Sequence, residues 1–125
     1  MKSGKKEGMN PNNLKTLKKK YPDLLEEISD IECDDGWFCL VEGYLRLASA
    51  YSKRTEKGVK VKQIKEKFGR LRVYATLNDD YTFGVGDMAE FLSEFTCESC
   101  GEKGKLRANR RRVKTLCDSH YLFEE

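Results

Sequence analysis

Four residues near the end of the chain have the types and spacing of a metal site. Cys97-Glu98-Ser99-Cys100 and Cys117-Asp118-Ser119-His120 together read C-x2-C-x16-C-x2-H. Each pair brackets two residues, so both of its side chains can reach one ion from a single tight turn. Three thiolates and an imidazole suit tetrahedral Zn2+, and the separation of the pairs falls in the range of zinc sites. Gly101 follows the second cysteine, where a knuckle needs positive φ and backbone N–H groups turned toward the sulfurs. An iron–sulfur cluster uses cysteine almost exclusively, so His120 argues against one. A redox pair at Cys97 and Cys100 would leave Cys117 and His120 without a reason. Four protein ligands close the coordination sphere, which makes the expected zinc structural and not catalytic. His120 is the chain's one histidine. Spending it on the metal removes the commonest general base, and no enzyme is expected.

The other two cysteines flank Asp34-Asp35-Gly36-Trp37-Phe38. They read as small buried residues near a helix start, although Cys39 could replace His120 as a ligand. Between the ligand pairs, Lys105-Leu106-Arg107 and Val113 to Leu116 read as two short strands of a hairpin. Residues 117–125 can open a short helix packed through Tyr121, Leu122 and Phe123. Knuckle, hairpin and helix make a treble clef; a second knuckle in place of the helix would make a ribbon. The zinc module is expected to span 97–125 and to pack on the rest.

Charge is unevenly spread. The chain has 125 residues, 24 Lys+Arg and 21 Asp+Glu, for a net +3. Seven acids and no cation lie between Asp23 and Asp35. Lys103, Lys105, Arg107, Arg110, Arg111, Arg112 and Lys114 form a basic run without an acid. Lys65, Lys67, Arg70 and Arg72 surround a second hairpin, with Phe68 and Tyr74 interleaved. Such a polarised chain steers toward oppositely charged partners. Basic and aromatic residues on strands can also hold a nucleic-acid backbone and stack bases; the plainer reading is a solvated face with Phe68 plugging the core.

The elements that must position these groups follow from periodicity. Residues 1–10 are polar and basic and read as a disordered tail. An α+β core is expected over 11–96. Asn10 and Pro11 suit a helix start, with Leu14, Leu17 and Tyr21 on one side. Pro22 breaks it, and a second short helix is expected to Ile31 with Leu24, Leu25 and Ile28 inward. From Asp35 to Lys53 the spacing predicts the clearest helix, burying Trp37, Leu40, Val41, Tyr44, Leu45, Ala48 and Tyr51. Asp34 or Asp35 is its expected cap. Val59 and Val61, then Leu71, Val73 and Ala75, alternate as strands, with Gly69 in a turn longer than two residues. Asn78-Asp79-Asp80 closes the second strand. A helix is expected over 85–95, burying Val85, Met88, Ala89, Leu92 and Phe95. No run of about 18 apolar residues suggests a membrane span. Met1 to Lys6 precede no apolar stretch, so a secretory signal is not expected and a reducing cytoplasm is.

Asp35-Gly36-Trp37, the Val61–Tyr74 segment, Cys97-Glu98-Ser99-Cys100-Gly101 and Leu116-Cys117-Asp118 resemble a family of small proteins encoded by phages and prophages. Its motifs are D-G-W, V-K-E-K-F-G-x-L-R-x-Y, and C-x2-C-G with L-C-x2-C/H. The resemblance runs from about Tyr21 to His120. It implies a virus-encoded accessory protein with zinc, acting in a bacterial cytoplasm. Arg110-Arg111-Arg112 departs from that pattern. The function expected is binding and modulation of a bacterial host protein. The alternative is a DNA- or RNA-binding factor using the 103–114 loop.

Overall fold

The computed structural model describes residues 8–77 and 79–123. Among these residues it is α+β. Helix α1 spans Pro11–Lys20, α2 Phe38–Thr55, α3 Asp80–Ser93 and α4 Asp118–Phe123. Strands β1 (Val61–Lys67) and β2 (Arg70–Ala75) form one antiparallel hairpin, and β3 (Lys105–Arg107) and β4 (Lys114–Leu116) a second. No helix among the described residues is long and apolar enough to cross a membrane.

The core is built where the periodicity placed it. Val41, Tyr44, Leu45, Ala48 and Tyr51 of α2 are buried, and a 3-10 turn at Asp35–Trp37 brings Trp37 inside with them. Ile64 and Leu71 close it from the first hairpin, and Leu17 from α1. Asn10 caps α1 by accepting the Asn13 N–H at 2.8 Å, with Pro11 in the first turn. Asp34 makes no side-chain cap; Asp35 instead accepts from the Asn10 N–H and the Asn13 side chain. That bond ties α1 to the entrance of α2.

Several expectations are corrected. Residues 1–7 lie outside the described residues, but Met9 is buried and donates its N–H to the Ile31 carbonyl. The segment after Pro22 forms turns and no helix. It runs beside β1, where the Glu32 N–H reaches the Ile64 carbonyl at 2.9 Å and Glu66 returns a bond to Glu32. Backbone bonds from Val61 to the Leu24 carbonyl and between Glu32 and β1 hold this segment as turns, and Leu24, Leu25 and Ile28 are buried as expected. The β1–β2 connection is a two-residue turn of Phe68 (φ 52°) and Gly69 (φ 83°), the primed geometry whose twist matches a hairpin. Phe68 therefore points out, with 72% of its surface exposed, and does not plug the core.

Helix α3 begins earlier than expected. Asp79 caps it through a box with Thr82, while Asn78 lies outside the described residues. Its buried face is Thr82, Ala89 and Ser93, whereas Met88, Leu92 and Phe95 are exposed. Small side chains let this helix lie close on β2, where Ser93 Oγ accepts the Leu71 N–H at 3.0 Å. In the final helix, Leu122 is exposed and Tyr121 half-buried; the Phe123 side chain lies outside the described residues.

Candidate metal centre

Cys97 and Cys100 sit on a tight turn after α3. The Gly101 N–H returns to the Cys97 carbonyl at 2.9 Å, and the Cys97 N–H reaches the Glu102 carbonyl at 2.7 Å. Gly101 takes φ 85°, the conformation the knuckle requires. Strand β4 then delivers Cys117 to the start of α4, and one helical turn carries His120 back toward it. The donor atoms of all four residues lie within 4.8 Å of one another. Cys117 Sγ is 3.2 Å from His120 Nδ1, Cys97 Sγ 3.8 Å from the same nitrogen, and Cys100 Sγ 3.8 Å from Cys117 Sγ. Such a cluster can hold a metal ion, with two ligands from a knuckle and two from a helix start. Knuckle, hairpin and helix follow in treble-clef order.

The thiols are unequally prepared. The His120 backbone N–H and ring lower the Cys117 thiol to about 6. Desolvation and the neighbouring sulfurs push Cys100 up to about 11. A metal must displace the protons that remain, so acid weakens its binding. Cys39 is exposed on α2 and outside the cluster, and Cys33 is buried, where burial raises its thiol. The substitution of Cys39 for His120 is thus excluded, and of the two cysteines only Cys33 packs inside.

The D-G-W segment holds the knuckle on the core, a role the sequence did not reveal. The Gly36 N–H donates to the Glu98 carbonyl at 2.7 Å, and Trp37 Nε1 donates to the Thr96 carbonyl at 2.8 Å. A Cβ on Gly36 would overlap the carbonyl oxygens of Cys97 and Glu98, so only glycine allows this approach. Beneath the knuckle, Glu98 is 2% exposed and bonds the Asp34 N–H and Lys114 Nζ at 3.0 and 3.1 Å. Burial pushes its carboxyl up to about 7, against the pull of Lys114. The same burial opposes the Lys114 ammonium, but Glu98 and Asp34 outweigh it and hold it above its ordinary value. Thr115 Oγ1 donates to the Gly69 carbonyl at 2.7 Å, locking the second hairpin to the tip of the first.

The candidate cations separate into two groups. Lys114 is buried in its ion pairs. Arg107 binds Asp118 at 2.8 Å and lies over the Tyr121 ring, so it braces α4. Arg70 binds Glu94 and Arg72 binds Glu90, both joining β2 to α3. Lys67, Lys103, Lys105, Arg111 and Arg112 are exposed, and Lys65 and Arg110 are half-buried. Phe68 and Leu106 stand exposed where the two hairpins meet, with Lys67 beside them. Compared with protein-family models, curated proteins and solved structures, the chain matches none.

Proposed function

We propose that Cys97, Cys100, Cys117 and His120 bind Zn2+ as a closed structural site. The donor set supports this: three sulfurs and one nitrogen around one point suit a tetrahedral soft-to-borderline ion and leave no protein-derived position for substrate. On that staple we place a non-enzymatic accessory protein, virus-encoded as the resemblance implies, that docks on a protein of its bacterial host. The tip formed by Phe68, Leu106 and Lys67 is the docking surface.

One observation carries the preference for a protein over a nucleic acid. Four of the candidate cations, Arg70, Arg72, Arg107 and Lys114, are spent on internal carboxylates, while large apolar side chains stand exposed. Protein interfaces take aromatic and aliphatic anchors at their centre; nucleic-acid surfaces need unspent cations. Capture from bacterial lysate, with and without nuclease, tests the reading. A stoichiometric protein that survives nuclease and is lost in Phe68→Asn supports it. Recovery that depends on nucleic acid overturns it.

A further inference from the structure

An exposed apolar stripe runs along α3 and past its end, with Asp80 and Asp87 on its edge. Gly84, Met88, Phe91 and Phe95 recur at i, i+4, i+7 and i+11, and Leu92 turns toward α2. Met88 and Phe91 are 57% and 52% exposed, and Phe91 packs edge-on against Phe95. On α2, Leu47 continues the surface beside Gly43. Gly43 and Gly84 lie inside helices, where glycine is less favourable than alanine. A Cβ on either would meet nothing within 4 Å, so the fold of one chain gives no reason for them.

We infer that this α2/α3 face pairs with a second copy of the chain. Area is the first argument. Five large side chains, each about half exposed, present roughly 450 Å² of apolar surface. That is as large as the biggest patch of a typical monomer. With its flanks, two copies would bury on the order of 1,200 Å², the lower edge of specific interfaces.

Charge is the second. Every charged residue of α3 is acidic: Asp80, Asp87 and Glu90. The exposed charges of α2 are basic: Arg46, Lys53 and Arg54. Glu42, the one acid of α2, is engaged by Lys20, Tyr21 and Arg46, and Arg46 keeps two thirds of its side chain exposed while paired. A two-fold axis parallel to the helices lays α2 of one copy on α3 of the other, twice, with opposite signs meeting. Arg46 lies on the flank of α2 away from α3, beside Glu42. Asp87 lies on the flank of α3 near Glu90, which faces β2. The two flanks meet at each rim of such a pair. The glycines then let the helices approach closely.

Sedimentation equilibrium of the full zinc-loaded chain from 5 to 200 µM tests the pairing. Self-association to a dimer is expected, and a monomer throughout overturns it. Met88→Glu with Phe91→Glu, both exposed in the monomer, should weaken association at least 100-fold with circular dichroism and zinc content unchanged. A dimer that survives these changes places the contact elsewhere and overturns the assignment. Arg46→Glu alone and Asp87→Lys alone put like charges at both rims and should each weaken the dimer. Mixing the two variants restores opposite charges at both rims, so a heterodimer tighter than either homodimer is expected. No gain on mixing overturns the α2-on-α3 arrangement.

Discussion

Phe68 is held against its own backbone preference. An L-residue with a bulky side chain strains at φ 52°, and a primed two-residue turn favours Asn-Gly at these positions. Burial does not offset the strain, because the ring is exposed. Strained residues of this kind cluster at functional surfaces. Phe68→Asn should therefore stabilise the fold by roughly 0.5–1 kcal/mol, a rise of a few degrees in melting temperature. If the proposed docking at this tip holds, the same change should also remove the protein recovered by capture from bacterial lysate. A variant that melts lower than the parent would show that the ring contributes to packing after all. Glu42 makes the residue-scale case for pH. The Tyr21 hydroxyl and Lys20 ammonium hold its carboxyl down at about 2, from an ordinary value near 4.5. A lowered value means stability that is complete above pH 4.5 and lost as the pH falls toward 2. Urea titrations of the parent and Glu42→Gln between pH 2 and 7 should show the variant less stable at neutral pH. The gap should close in acid. Taking the difference cancels metal release, which both proteins share. A gap independent of pH would contradict the assignment.

The elements around the Cys/His cluster are too small to stand alone. Strands β3 and β4 have three residues each and α4 has six. Isolated helices of that length are marginal, and so are two-stranded hairpins. In the proposed site, metal coordination would supply the missing free energy, about 10–16 kcal/mol in comparable small zinc sites near neutral pH. A strong chelator should therefore unfold residues 97–123 while α2 and the first hairpin persist. The chain's one tryptophan reports this directly, since Trp37 Nε1 bonds the Thr96 carbonyl at the knuckle's edge. A red-shifted emission and loss of amide protection confined to 97–123 are expected. Unchanged emission after complete metal removal would show that the knuckle holds without its ion. The module was legible in the sequence because ligand spacing is a local property of the chain. So was α2, whose apolar stripe repeats over nearly four turns from Trp37 to Tyr51. The α3 face was misread because periodicity marks an apolar stripe without saying what covers it. Here β2 takes the small face, and the large one is left outside. The role of Gly36 was invisible for a related reason: the carbonyls that require it come from residues about sixty positions away.

Over the whole molecule, the polarised sequence folds into a much less polarised surface. The acidic segment wraps the basic hairpin, where Lys60 meets Glu26 and Lys62 meets Glu27 at 2.9 Å. The basic run gives Lys114 to Asp34 and Glu98, and Arg107 to Asp118. Opposite blocks along the chain thus partly neutralise each other in space. Binding to nucleic acid draws on cations that can release counterions, and its salt dependence counts them. Arg107 and Lys114 are committed and Arg110 and Arg112 have contacts of their own, so Lys103, Lys105 and Arg111 leave about three phosphate contacts for the 103–114 segment. Fluorescence polarization with a labelled 20-mer duplex and a labelled single-stranded RNA should then give a log–log salt slope no steeper than about −3. Affinity at physiological salt should be no tighter than the micromolar range of non-specific binding. Replacing Arg110, Arg111 and Arg112 by Glu should abolish what little binding exists without altering capture of the host protein. A slope near −6 with sub-micromolar affinity would mean that the internal ion pairs open to meet phosphate. In that case the basic loop, and not the apolar tip, is the functional surface.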